Sequence, residues 1–332
     1  MKKKALYLLP ESMCDRIYSP GQQSQFAELL DFVRPRPLEA APYATDDELA
    51  EAEIVFGGWG SPAFDAALLA RMPRLEAVFY GAGSIKHITP EPFWERAITI
   101  TSSFAANGVP VAEFTEAQII FALKKVWQHA RLLRATRRWH NEGIPGAYGA
   151  RVGLISLGMI GRLVAQRLQS HELEVVAYDP YVDQARADAL GLQVRMVSLE
   201  ELFATSDVVS LHAPNLPATR GMVSRALLES LKPDATFINT ARGAIVDEAA
   251  LCEILAVRPD LLAIIDVTFP EPPAAESPLF SLPNVVLTPH IAGSIGSECH
   301  RMGQIALDEC QRYLKGEKLQ WQISREMAAI MA

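Results

Sequence analysis

Short apolar runs recur along the chain, separated by polar or amphipathic stretches. Residues 5–9, 54–58, 75–80 and 98–101 read as strands, with helical stretches at Gln22 to Phe32 and Ala63 to Ala70 between them. That alternation predicts a small parallel α/β domain. A long helical pattern then runs from Asn107 to Arg134, where Val111, Phe114, Ile119, Ile120, Leu123, Val126 and Trp127 cover more than one narrow stripe. Such coverage predicts burial by more than its own domain, at a domain crossing or a subunit interface. From Val152 the alternation resumes, with strands at 208–211, 235–239, 263–267 and 285–287 and helical stretches at Leu199 to Ala204 and Leu227 to Ser230. A second sheet should grow outward from Val152. The last helical stretch, Gln304 to Leu314, ends at Gly316, and with Trp321 beyond it the tail is expected to pack back on the first domain.

The second half opens on Val152-Gly-Leu-Ile-Ser156-Leu-Gly158-Met159-Ile160-Gly161, continues through a helical stretch carrying Leu163, Val164 and Leu168, and reaches a strand that ends in Asp179. Strand, small-residue turn, helix and second strand make a βαβ unit of the dinucleotide-binding kind. A helix starting at Gly158 aims unpaired N–H groups and its positive dipole end at a pyrophosphate. Gly158 lets the backbone approach the phosphate, and Gly161 lets helix and strand pack closely. Asp179 can accept from the ribose hydroxyls, and its charge repels a ribose phosphate, so NAD is expected rather than NADP. Ser156 stands where the motif has its first glycine. If the turn demands a positive φ there, serine costs on the order of 1 kcal/mol; if it needs only a small side chain, serine fits.

Composition narrows the class. A chain of 332 residues suggests about two domains. The net charge of −8 and pI near 5.5 argue against nucleic-acid or anionic-membrane partners. An anionic substrate then needs locally placed cations. The apolar start is stopped by Pro10 and Glu11 before it resembles a signal peptide, and no run approaches a membrane span. Cys14, Cys252, Cys299 and Cys310 lack zinc or C-x-x-C spacing, so reduced thiols in a cytoplasmic protein and no bound metal are expected.

Two glycine turns follow strands of the first domain, Gly57-Gly58-Trp59-Gly60 and Gly81-Ala82-Gly83-Ser84. The second is either a plain tight turn or a backbone N–H cradle for a small carboxylate. Trp59 either walls that site or fills core. Three more groups follow strands of the second domain: Asn239-Thr240-Ala-Arg242-Gly243, Asp266-Val-Thr-Phe-Pro-Glu271-Pro272, and Thr288-Pro-His290-Ile-Ala-Gly293. Together they offer a carboxylate clamp, an acid and an imidazole, the set that hydride transfer at a hydroxyl-bearing carbon requires.

These motifs, with Leu211-His212-Ala-Pro214 and Thr219, closely resemble the NAD-dependent D-specific 2-hydroxyacid dehydrogenases, the family of glyoxylate, hydroxypyruvate and phosphoglycerate dehydrogenases. The resemblance implies that Arg242 binds the substrate carboxylate, that His290 exchanges the proton and that Glu271 holds His290. It implies cofactor contacts at Gly158, Met159 and Ile160 (pyrophosphate), Asp179 (ribose), Asp266 (nicotinamide amide), and His212, Pro214, Thr219, Thr240, Arg242, His290 and Gly293. Substrate contacts would come from Trp59, Gly81, Ala82, Gly83 and Arg242.

It also implies two doubly wound parallel-sheet domains. One is a Rossmann NAD-binding domain over 107–297; the other is a smaller flavodoxin-like substrate domain from both chain ends, 1–106 and 298–332. The expected function is hydride transfer between NAD(H) and C2 of a small 2-hydroxy or 2-oxo acid, in a homodimer. Corepressors that bind NADH as a conformational ligand also resemble this family, so a sensor or scaffold is the alternative. After the second glycine turn the family commonly carries two acids; here Lys86 and His87 appear instead, and Lys86 is a candidate contact for a second substrate anion. Glutamate rather than glutamine at 271 disfavours formate as substrate.

Overall fold

The computed structural model describes residues 2–331. It divides into two compact units, one formed by residues up to Gly108 together with Ser294–Met331, the other by Val109–Gly293. Each is a parallel sheet with interspersed helices, the class that the alternation of apolar runs predicts.

The first unit holds β1 (Lys4–Tyr7), β2 (Asp31–Phe32), β3 (Ile54–Gly57), β4 (Ala77–Tyr80) and β5 (Thr99–Ser102) in the order β2-β1-β3-β4-β5. That is the flavodoxin-like order, whose ligand crevice lies beyond the carboxyl ends of β1 and β3. The inner strands β1, β3 and β4 read as apolar runs because both faces are covered. Ala5, Tyr7, Ile54, Phe56 and Phe79 pack on one side with the helices Glu11–Ile17 and Cys299–Lys315. Leu6, Val55, Val78 and Tyr80 pack on the other with Phe64, Ile85 and Phe93. A Cβ on Gly303 would lie 2.4 Å from the Ile17 carbonyl oxygen, so glycine lets the late helix meet the early one. The helix Cys299–Lys315 ends at Gly316 in the left-handed region. Beyond it the buried carboxylate of Glu309 accepts from the N–H groups of Gln320 and Trp321, fixing the tail beside β5, where Ser102 N–H donates to the Trp321 carbonyl.

The second unit holds β6 (Arg151–Ile155), β7 (Glu174–Tyr178), β8 (Arg195–Met196), β9 (Val208–Leu211), β10 (Thr236–Asn239), β11 (Leu262–Ile265) and β12 (Val285–Leu287). Their order is β12-β11-β10-β9-β6-β7-β8. The order reverses between β6 and β9, and ligands of such sheets gather in the crevice at that reversal.

The helical pattern expected from Asn107 to Arg134 is two helices, Phe104–Leu123 and Val126–Thr136. Lys125 between them is left-handed at φ 48°, a break that no glycine or proline announces. The stretch expected as helix to Phe32 ends at Leu29, and Asp31–Phe32 pairs with β1 instead. Among the described residues no helix is long and apolar enough to cross a membrane.

Candidate active site

The turn after β6 starts the helix Met159–Leu168, with Gly158 as its N-cap and no side chain capping it. The first N–H groups of that helix therefore need an outside acceptor. A Cβ added to Gly158 would meet nothing nearer than Ser156 Oγ at 3.9 Å, so the backbone there borders open space. At Gly161 a Cβ would lie 2.0 Å from the Ser156 carbonyl oxygen, and only glycine fits. Ser156 has φ 77°, so the turn does demand the left-handed region that its family position gives to glycine. Its hydroxyl donates to Asp179 Oδ2 at 3.2 Å. Leu157 N–H reaches the same oxygen at 2.7 Å, and Tyr181 N–H donates to Oδ1 at 2.8 Å. Asp179 thus stands at the tip of β7 beside the helix start, held on the turn. Phosphate beside the bare N–H groups and ribose beside the carboxylate is how a dinucleotide fits these residues.

Opposite this turn, across the sheet reversal, lies His212, buried, with its Cβ 3.6 Å from the Cβ position of Gly161. Its Nε2 shares a hydrogen bond with Ser210 Oγ at 3.0 Å, while Nδ1 is buried without a protein partner. Burial pushes its pKa down to about 4, so the imidazole is neutral at pH 7. The orphaned Nδ1 is a second polar group that a bound dinucleotide can satisfy. Thr219 is engaged locally: its hydroxyl donates to the Pro214 carbonyl and accepts from Leu216 N–H at 2.9 Å, closing the loop 214–219. Thr240 is buried, its hydroxyl 3.3 Å from that of Thr115.

Arg242, Glu271 and His290 come from three neighbouring strand ends. Buried Asn239 accepts from Ala241 N–H at 3.0 Å and donates to the Arg242 carbonyl at 3.1 Å, a local turn that leaves Arg242 extended. Gly243 then passes against the next loop, where a Cβ would lie 2.0 Å from the Thr268 carbonyl carbon. Arg242 makes no ion pair among the described residues, and burial lowers its pKa from the usual value while the Glu271 charge acts the other way. Glu271 Oε1 hydrogen-bonds His290 Nδ1. This contact leaves Nε2 as the imidazole's outward nitrogen.

Asp266 organises the turn that carries His290. Its buried carboxylate accepts from Thr288 Oγ1 at 2.6 Å and from the N–H groups of Ile291 and Ala292 at 2.9 Å each. His290 N–H donates to the Asp266 carbonyl at 2.9 Å, and His290 sits in the left-handed region at φ 53°. The resemblance gives Asp266 a nicotinamide contact; the fold already uses it as an anchor with three donors. Gly293 closes this turn and the unit.

In the first unit, the turns after β3 and β4 are neighbours, since Gly57 pairs with Tyr80. Ala82 and Gly83 carbonyls accept from Ser102 Oγ, at 3.0 and 2.5 Å, and the N–H groups of Gly83 and Ser84 donate to no carbonyl among the described residues. Asn107 Nδ2 lies 3.7 Å from the Cβ position of Gly83. Trp59 is half-buried, packs against the cores on both faces of the sheet, and carries the Arg16 guanidinium over its ring at 5.2 Å. Lys86 and His87 are exposed. Sequence alone does not single out Asn239, Asn107, Thr288 or Glu248, which accepts from Phe269 N–H at 3.0 Å, as individual site residues. Only Asn239, two residues before a main-chain donor at a strand end, gives a local signal of its turn.

Residues 117–292 match the model of the D-isomer specific 2-hydroxyacid dehydrogenase NAD-binding domain. The chain belongs to that family, and its second unit carries the NAD-binding fold. It is 34% identical over 255 residues to D-3-phosphoglycerate dehydrogenase of Mycobacterium bovis, covering 76% of this chain and 48% of that protein. It is 34% identical over 254 residues to (S)-sulfolactate dehydrogenase of Chromohalobacter salexigens, covering 75% of this chain and 81% of that one. Among solved structures, the TT0316 protein of Thermus thermophilus superposes with a TM-score of 0.74 at 29% identity, covering 96% of this chain and 99% of that chain. The chain spans about half the length of the phosphoglycerate dehydrogenases it matches.

Proposed function

We propose that this protein transfers hydride reversibly between NAD(H) and C2 of a small 2-hydroxy or 2-oxo acid. The observation that carries the reading is the Glu271–His290 hydrogen bond beside an Arg242 guanidinium that lacks an ion-pair partner among the described residues. The dinucleotide, when bound, supplies or accepts the hydride. Arg242 holds the substrate carboxylate and stabilises charge developing on the C2 oxygen. His290 gives a proton from Nε2 to that oxygen in reduction and takes it back in oxidation, while Glu271 fixes the ring through Nδ1. Within the first unit, the N–H groups of Gly83 and Ser84 and the ring of Trp59 are its own candidate substrate contacts. His212, Pro214, Thr219, Thr240, Asp266 and Gly293 line the cofactor side with Met159 and Ile160. Asp179 favours NAD over NADP, because a ribose phosphate would face its carboxylate.

We assign the substrate domain to the first unit and the NAD-binding domain to the second; the expected bounds, 1–106 with 298–332 and 107–297, differ from the unit boundaries at Gly108 and Ser294 by a few residues. The relatives named for phosphoglycerate and sulfolactate support a 2-hydroxy acid as substrate. A homodimer is supported by apolar side chains left in solvent on the second unit, with Phe121 41%, Leu133 42% and Trp139 86% exposed. Four buried free cysteines suit a reducing cytoplasm.

The test is NADH oxidation with glyoxylate, hydroxypyruvate, pyruvate, phenylpyruvate and 4-methyl-2-oxopentanoate. At least one should be reduced, and His290→Gln or Arg242→Gln should lower kcat/KM by roughly two to four orders of magnitude. Tight NADH binding with no turnover on any 2-oxo acid would replace this reading with a nucleotide sensor.

A further inference from the structure

The first unit places a cation at its ligand edge that the reaction just described does not use. Arg16 lies in the last turn of the helix Glu11–Ile17, and the residues beside it pack tightly. A Cβ on Gly58 would lie 2.4 Å from Ile17 Cδ1, one on Gly60 2.8 Å from Pro10 Cδ, and one on Gly81 2.7 Å from Ile17 Cγ2. Tyr18 Oη, next along, donates to the Gly57 carbonyl at 2.6 Å. The helix end is therefore wedged against both glycine turns. This is the crevice beyond β1 and β3, where sheets of this order bind ligands.

The acids nearest Arg16 are committed elsewhere. Glu11 and Asp15, on the same helix, both pair with Arg36, at 2.7 and 2.8 Å. Glu39 accepts from Ser12. Arg16 itself makes no ion pair or side-chain hydrogen bond among the described residues and rests on the face of Trp59. Stacking on the ring orients the guanidinium without neutralising it and leaves its N–H edge for an acceptor. Arg16 is thus a partly exposed cation at this edge, without a carboxylate partner among the described residues and able to take an anion from outside.

We propose that Arg16, held by Trp59, is a specificity-determining residue that binds a second anionic group on the substrate, so that the preferred substrates are 2-oxo acids bearing a distal carboxylate, phosphate or sulfonate. This rests on the reductase reading above, with the Gly83–Ser84 turn of the same unit holding the carboxylate next to C2. Arg16 is then the cation left for the other end of the molecule. Lys86, the cation suggested by sequence, is exposed on the loop beyond the turn.

The experiment compares two substrate series, glyoxylate, pyruvate and hydroxypyruvate against oxaloacetate, 3-sulfopyruvate and 3-phosphohydroxypyruvate, for the native protein and for Arg16→Gln, Arg16→Lys and Lys86→Met. The native protein should favour the dianionic series. Arg16→Gln should raise KM for that series at least about tenfold, the loss of one charge-assisted hydrogen bond, with kcat and the monoanionic series changed less than twofold. Arg16→Lys should restore part of the loss. Equal effects on both series, no effect on either, or a dianion effect that follows Lys86→Met alone would overturn the assignment while leaving the reductase reading intact. If no 2-oxo acid oxidises NADH, the reductase reading fails separately. Calorimetric binding of tartronate then decides on Arg16: binding at least tenfold weaker in Arg16→Gln than in the native protein supports it, and equal binding overturns it.

Discussion

The glycine-bearing turns of the two units look alike in sequence and are held together by different physics. After β6, the turn 156–161 is set by backbone: Ser156 adopts φ 77°, and at Gly161 a Cβ would strike a carbonyl oxygen at 2.0 Å. After β3 and β4, positive φ is confined to Gly60, at 85°; Gly58 and Gly81 are glycine because Leu9, Ile17 and Tyr18 side chains occupy the space a Cβ would need. A turn built on backbone contact cannot relax, whereas one built on side-chain ends can shift by a few tenths of an ångström. The first arrangement suits a fixed dinucleotide grip, since pyrophosphate binding depends on N–H groups held in place. The second suits a substrate edge whose lining side chains can differ between relatives.

The sharpest way to break that contrast is a matched pair of substitutions. Gly161→Ala meets backbone and should destabilise the second unit by about 4 kcal/mol or more, with loss of NADH binding. Gly81→Ala meets Tyr18 Oη at 2.6 Å and Ile17 Cγ2 at 2.7 Å, both side-chain ends. It should cost about 1–3 kcal/mol and leave NADH binding within twofold. Chemical unfolding with NADH fluorescence titration measures both; equal costs would mean that the two turns are the same device.

The contrast also explains what was legible in advance. Strand spacing gave the central strands of both parallel sheets, because those are short runs buried on two faces; the edge strands Asp31–Phe32 and Arg195–Met196, two residues each with an exposed charged residue, left no such pattern. The motif residues Arg242, Glu271 and His290 could be picked out because each follows a strand, where a parallel sheet presents its ligand edge. Lys125 could not, since a lysine in the left-handed region leaves no pattern. Nor could Arg16. Its position depends on which side chains fill the space above Gly58 and Gly81, a three-dimensional fact with no periodicity. Ser156 lies between: the sequence poses the question of a positive φ, and only the fold answers it.

Acid should separate the two units as well. His212, against the backbone-built turn, is the one histidine buried among the described residues, and burial pushes its pKa to about 4 from the usual 6.5. The folded form binds this proton less readily than the unfolded chain does. Its stabilising contribution is therefore complete above about pH 6.5 and lost as pH falls through the window down to about 4, a change on the order of 3 kcal/mol. Hydrogen exchange resolved by segment should show the second unit opening first as pH falls from 7 to 4.5, and His212→Gln should flatten that dependence. An unchanged dependence in the variant would assign the acid sensitivity to other groups.

The smallest effect tests the turn at its one irregular residue. Serine at φ 77° costs about 1 kcal/mol against glycine. Its hydroxyl returns about as much through the 3.2 Å hydrogen bond to Asp179, a part-buried contact to a charged acceptor. Ser156→Gly should therefore leave unfolding within about 0.5 kcal/mol of the native protein. For the cofactor the two terms do not cancel. Asp179 Oδ2 already accepts from Leu157 N–H, and removing the serine hydroxyl frees a lone pair on that oxygen. The ribose can then use it, so NADH should bind up to about threefold more tightly, on the order of 0.7 kcal/mol. NADPH should not gain, because the carboxylate charge that opposes its phosphate is unchanged. Titration of both nucleotides against native and variant protein reads the difference. NADH binding more than threefold weaker in Ser156→Gly would mean that the serine hydroxyl itself contacts the cofactor, and that this turn, like those of the first unit, works through a side chain.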